Sequence, residues 1–161
     1  FNNEPKVNPS SDTPAFAKAK TGIIPKATYG DKLCSSLSNI DFLPLFTLCG
    51  IVSANKTLFE WAIENLCKNA TDAMKGNGKI EFDITINDYE VDIFIKDYGQ
   101  GIAKNKINQI FLPGYTSKKS GWGLGLSLTK RIIEEYHNGK IFVSSSEENY
   151  GTTFCIKLKK V

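Results

Sequence analysis

Residues 121–126 read Gly-Trp-Gly-Leu-Gly-Leu, with an amphipathic helix pattern directly behind them. Glycine lets a backbone take positive φ and approach a ligand closely. The free N–H groups and dipole at a helix start favour an anion, so a phosphate is the natural guest. Upstream, Asn65, Asn69 and Asp72 fall at i, i+4 and i+7, on one helix face. That face is either plainly solvated or a site. Asn is a mediocre helix former, and solvated faces more often use Glu and Lys. Carboxamide oxygens are hard, neutral ligands that suit Mg²⁺ and the phosphates it accompanies. Between the two lies Asp97-Tyr98-Gly99-Gln100-Gly101-Ile102. Asp97 fits a tight turn with local backbone hydrogen bonds. It equally fits a carboxylate that accepts from a planar donor such as an adenine amino group. Gly99 and Gly101 would then leave space for the flat ring, and Ile102 would pack on it. Lys118 and Lys119 fit a solvated loop.

These residues need elements to hold them. Thr57-Leu58-Phe59-Glu60 reads as a capping box, and Leu58, Trp61, Ala62, Leu66 and Ala70 keep helical spacing, with Gly76 or Gly78 as the stop. Ile80, Phe82, Ile84 and Ile86 alternate, Asn87-Asp88 turns, and Val91, Ile93 and Ile95 alternate again, which predicts a hairpin. A second helix is expected near Lys104–Ile110, and a third over Leu124–Tyr136, stopped by Gly139. Ile141–Ser145 and Thr153–Leu158 form a last hairpin, joined at Asn149-Tyr150-Gly151. The order predicts an α+β fold. It would be a two-layer α/β sandwich, with a mixed, mostly antiparallel sheet and about three helices on one face.

Residues 1–54 differ from the remainder. Five of the six prolines lie there, and the first 30 residues read as loop or extended chain. Leu33–Ser53 admits a short helix and an edge strand. The expected division is an extension over 1–54 and a domain over 55–161. A net charge of +3 is too mild to imply nucleic acid, and no apolar run approaches a membrane span. The chain starts at Phe1 and reads as an excerpt of a larger protein. Cys34, Cys49, Cys67 and Cys155 lack zinc-site spacing and read as reduced, cytoplasmic thiols.

Taken together, the motifs resemble the ATP-binding catalytic domain of two-component sensor histidine kinases, in the GHKL ATPase/kinase superfamily. The resemblance covers roughly Asn55 to Lys160. Asn65–Ala70 resembles the N box, and Asp97–Ile102 the first glycine box. Phe111–Lys118 resembles the F box and lid, Gly121–Leu126 the second glycine box, and Gly151–Phe154 the third. The resemblance implies that Asn69 coordinates Mg²⁺ on the ATP phosphates and that Asn65 supports that side of the site. Asp97 would bind adenine in a pocket shaped by Gly99, Gly101 and Ile102, with Thr153 joining its water network. Gly121, Gly123 and Gly125, with Leu124 and Leu126 in the same box, would cradle phosphates. Lys118 or Lys119 would reach the γ-phosphate. The implied partners are ATP, a histidine-bearing dimerisation domain of the same protein and a response regulator. Nucleic acid and membrane contact by this segment are not implied, and anchoring of the parent is left open.

Three positions depart from the pattern. Asn65 stands where hydrolysing members carry a Glu that activates water, which favours transfer to a separate acceptor. Gly114 stands where Phe is frequent. Asp72 stands where many histidine kinases have Lys or Arg. His137, the one histidine, falls at a helix end and reads as structural rather than as the phosphoacceptor. Two other readings remain: a non-catalytic nucleotide-sensing module, and an anti-sigma-factor-type serine kinase.

Overall fold

The computed structural model describes residues 22–23, 52–118 and 121–161. Helix α1 spans Lys56–Ala73 and helix α2 spans Gly125–Arg131, continuing as a π-helical turn over Ile132–Tyr136. The strands are β1 (Gly22–Ile23), β2 (Glu81–Ile86), β3 (Glu90–Lys96), β4 (Lys140–Glu147) and β5 (Gly151–Lys159). They form one sheet in the order β1-β2-β3-β5-β4, and every neighbouring pair is antiparallel. The α+β two-layer architecture is as expected from the sequence. β1 falls in the stretch read as loop or extended chain. The readings for residues 33–51 lie outside the described residues, as does Lys119.

The layers meet through the alternating strand residues. Val91, Ile93 and Ile95 of β3 and Ile156 and Leu158 of β5 are buried beneath Phe59, Ala62, Ile63, Leu66 and Ala70 of α1 and Ile132 and Ile133 after α2. Each fully buried aliphatic side chain of this kind contributes about 1.5–3 kcal/mol. This buried face fixes strand register, because a slip of one residue would turn the set outward.

Local boundaries differ from expectation in two places. α1 starts two residues earlier than the Thr57 capping box, because the Asn55 side chain accepts from Leu58 N–H at 3.1 Å and caps it. Trp61 is 39% exposed, and Phe59 and Ile63 occupy the core in its place. The expected second helix is only a 3₁₀ turn, Lys104–Lys106, followed by turns. Only Ile110 in that stretch is buried, too little apolar face to support a longer helix. The third helix ends at Tyr136 as expected, with Asn138 at φ 49° and Gly139 N–H donating back to Ile133 carbonyl at 2.9 Å.

Candidate functional site

Helix α1 acts as a rail along which the motif segments dock. Asn65 stands beside the start of α2: its Nδ2 donates to Thr129 Oγ1 at 2.8 Å. A Cβ on Gly125 would lie 2.5 Å from Asn65 Oδ1, so the glycine admits this approach. One turn on, half-buried Asn69 accepts from Lys118 Nζ at 3.1 Å, and Asp72 Oδ2 lies 2.5 Å from the same ammonium. At the helix end, Ala73 carbonyl accepts from Gln100 N–H at 3.1 Å. From Asn65 to Ala73 the rail is roughly 12 Å long.

The Asp97 loop is fixed on two sides. A Cβ on Gly99 would sit 2.6 Å from the Ala73 backbone. Gly101, at φ +69°, packs against the Glu147 carbonyl. The absent side chains therefore serve the protein's own packing at both positions. On the β4–β5 side, Asp97 N–H donates to Thr152 carbonyl at 2.9 Å and Asn149 N–H to Gln100 carbonyl at 2.9 Å. Ile102 N–H donates to Ser146 Oγ at 2.8 Å, and Ser146 Oγ lies 2.9 Å from Thr152 Oγ1.

Asp97 is 3% exposed. Its Oδ1 accepts from Gly99 N–H at 2.8 Å and Thr152 N–H at 3.3 Å. Burial raises its pKa above the ordinary carboxylate value, while those two N–H donors pull it down. Among the described residues Oδ2 takes no hydrogen bond, yet it is not one of the sealed, partnerless atoms.

Thr153 is not brought to Asp97. Strand alternation sends it to the opposite sheet face, beside Phe94 and Lys96 in a depression that also includes Glu81 and Asp83. Buried Thr152 takes that place instead. Its parity with Phe154 was the available signal. Ser146 was also missed, and nothing in its sequence surroundings marks it.

The lid segment is tied to the second glycine box. Gly114 N–H donates to Gly123 carbonyl at 3.0 Å, and Phe111 packs edge-on against Phe154 at 6.3 Å. Gly114 has φ +82° with open space beyond, so its backbone, rather than crowding, disfavours the Phe common at that position. Gly121 is exposed, as are Trp122 and Leu124, while Leu126 is half-buried against the core. No side chain caps the start of α2 at Leu124, so the first backbone N–H groups remain available to an anion. His137 is 8% exposed and fully engaged: Nε2 accepts from Asn55 N–H at 3.0 Å, and Nδ1 lies 2.8 Å from Ile132 carbonyl. Because Nε2 must accept, Nδ1 carries the proton.

The family of histidine kinase-, DNA gyrase B- and HSP90-like ATPases matches residues 54–161. The chain belongs to this family. Sporulation kinase A of Bacillus subtilis is 42% identical over 96 residues, covering 60% of this chain and 16% of that protein. The signal transduction histidine-protein kinase AtoS of Escherichia coli is 38% identical over 108 residues, covering 66% of this chain and 17% of that protein. The chain thus spans under a fifth of either relative. The catalytic domain of histidine kinase ThkA superposes with a TM-score of 0.59 at 34% identity, over 66% of this chain and 69% of that one. The mycobacterial sensor histidine kinase MprB shares the fold, with a TM-score of 0.61 at 23% identity, over 68% of this chain and 76% of that one. Among the described residues no helix is long and apolar enough to cross a membrane.

The donor set suits the metal that an ATPase of this family implies. Asn69 Oδ1 already faces a cation, the Lys118 ammonium, with Asp72 completing the pair. That neutral amide oxygen is a hard ligand of the kind Mg²⁺ takes, while the Asp72 carboxylate serves the lysine.

Proposed function

We propose that this chain is the ATP-binding catalytic domain of a sensor histidine kinase, with residues 55–161 forming the domain and 1–54 an extension that borders its sheet through β1. It would donate the ATP γ-phosphoryl group to a histidine on a separate dimerisation domain of the same protein, for relay to a response regulator. The observation that carries this reading is the order along α1: Asn65 at the start of α2, Asn69 at the lid lysine, Ala73 at the Asp97 loop. Adenine would be read by Asp97 Oδ2, beside Gly99, Gly101 and Ile102, with Thr152 and Ser146 as the hydroxyls of its network. Asn69 would hold Mg²⁺, which when bound neutralises charge between the phosphates. Gly121, Gly123 and Gly125, with the backbone at Leu124 and Leu126, would receive the phosphates. Lys118, or its neighbour Lys119, would reach the γ-phosphate.

Two features favour a separate acceptor. Asn65 offers an amide rather than a carboxylate base for water, and its amide is bonded to Thr129. His137 has both ring nitrogens engaged. The isolated chain should therefore turn ATP over very slowly and not label itself. Adding the parent's helical hairpin, prepared separately, should give a base-stable, acid-labile phosphohistidine, since positioning of the acceptor supplies most of the catalysis. An acid-stable phosphoserine, or strong labelling of the isolated chain, would overturn the assignment.

A further inference from the structure

Lys118 Nζ lies 2.5 Å from Asp72 Oδ2 and 3.1 Å from Asn69 Oδ1. Asp72 and Asn69 stand three residues apart on α1, so both acceptors face one ammonium from the same helix surface. Within the lid, Lys118 N–H donates to Thr116 Oγ1 at 3.0 Å and Gly114 N–H to Gly123 carbonyl at 3.0 Å. Those bonds are local to the lid and second glycine box. The Lys118 side chain reaches out of the segment and ties it to α1.

We propose that Asp72 is a latch for the lid: it parks Lys118 on Asn69, and metal–nucleotide entry requires the lysine to leave. The proposal rests on the reading of Asn69 as the metal ligand. The Lys118 ammonium and a metal cation need the same amide oxygen, and two cations a few ångströms apart repel. The occupant of Asn69 Oδ1 is thus either the lysine or the metal. When the metal takes the oxygen, Lys118 is released from one of its two partners and becomes free to pair with phosphate. Asp72 sets how costly that exchange is, because its carboxylate holds the lysine on the helix. It is a positioning residue, acting through Lys118.

The strength of the latch follows from its exposure. Both side chains are 43% exposed, so the pair is screened by solvent and shifts an equilibrium only about two- to five-fold. That is enough to bias a lid and too little to lock it.

The test uses the full chain with Asp72→Ala and Asp72→Glu. Asp72 is exposed and Ala is the better helix former, so the fold should persist. Hydrogen–deuterium exchange over residues 112–118, without nucleotide, reads the lid directly. Calorimetry with Mg²⁺ and ATP reads the affinity. Asp72→Ala should exchange faster in the lid and bind nucleotide about two- to five-fold more tightly. Asp72→Glu should return both toward the parent. Unchanged lid exchange in Asp72→Ala would overturn the proposal, as would weaker nucleotide binding, which would place Asp72 in the bound state's favour. If the parent itself binds no nucleotide, the reading of the site fails, while lid exchange still decides whether Asp72 holds Lys118.

Discussion

Asn65 Nδ2 donates to Thr129 Oγ1 at 2.8 Å, joining α1 to α2 where the second glycine box ends. Thr129 is fully buried, so its hydroxyl depends on this partner. Asn65→Leu should destabilise the fold by about 1–3 kcal/mol, the cost of a buried polar group left unpaired. Asn65→Asp should recover most of it, with the Thr129 hydroxyl turned to donate. Chemical denaturation of the three proteins checks this, and equal stability of parent and Asn65→Leu would refute it.

Asp97 separates binding from stability. Its raised pKa means that its contribution to stability is full below the ordinary carboxylate range and is lost as pH rises through the raised value. Acidification from neutral pH should therefore favour the parent over Asp97→Asn in thermal melts. Nucleotide affinity should move the other way, falling in the parent as the carboxylate takes a proton. Melting curves and calorimetry across that range test both signs, and parallel trends would contradict the assignment.

Much of this arrangement is legible in the residues because period dictates face. Val91, Ile93 and Ile95 alternate and are all buried; Ala62, Leu66 and Ala70 keep helical spacing and are buried too. The misses arise where long-range contact overrides local pattern. Asn55 displaces Thr57 as the start of α1 by capping it, and its N–H is claimed by His137, 82 residues away. Gly99 looks like room for a ligand, yet its space is taken by the end of α1. The choice between Thr152 and Thr153 needed only the parity of Phe154, whereas Ser146 enters through a hairpin register with a bulge between Val143 and Ser145 that no local signal announces.

Cys67 is 1% exposed, and burial, helped by Glu64, pushes its thiol pKa up to about 12. Cys155 is buried and raised as well, chiefly by burial and then by Asp92. Neither should react with a thiol reagent in the native protein at mildly alkaline pH. Mass spectrometry after brief alkylation should find both unmodified, and modified once the protein is denatured. Native labelling of Cys67 would contradict its placement between α1 and the sheet.

His137 pins the entry to α1 against the end of the α2 segment, and Phe59 meets it edge-on at 6.1 Å. His137→Ala leaves the Asn55 N–H and the Ile132 carbonyl without this partner, at a cost of about 1–3 kcal/mol. The midpoint of unfolding should fall while nucleotide affinity at low temperature stays near the parent's. Loss of phosphotransfer without loss of stability would instead make His137 a functional group.

The central claim is that α1 presents Asn69 to a metal-bound nucleotide, and calorimetric titration with ATP tests it most directly. The parent should bind ATP saturably with Mg²⁺ and weakly after chelation. Asn69→Ala, which keeps the helix because Ala is the better helix former, should lose the metal-dependent part alone. Folded parent protein that takes up no ATP at millimolar nucleotide, or Asn69→Ala that binds as the parent does, would contradict the account.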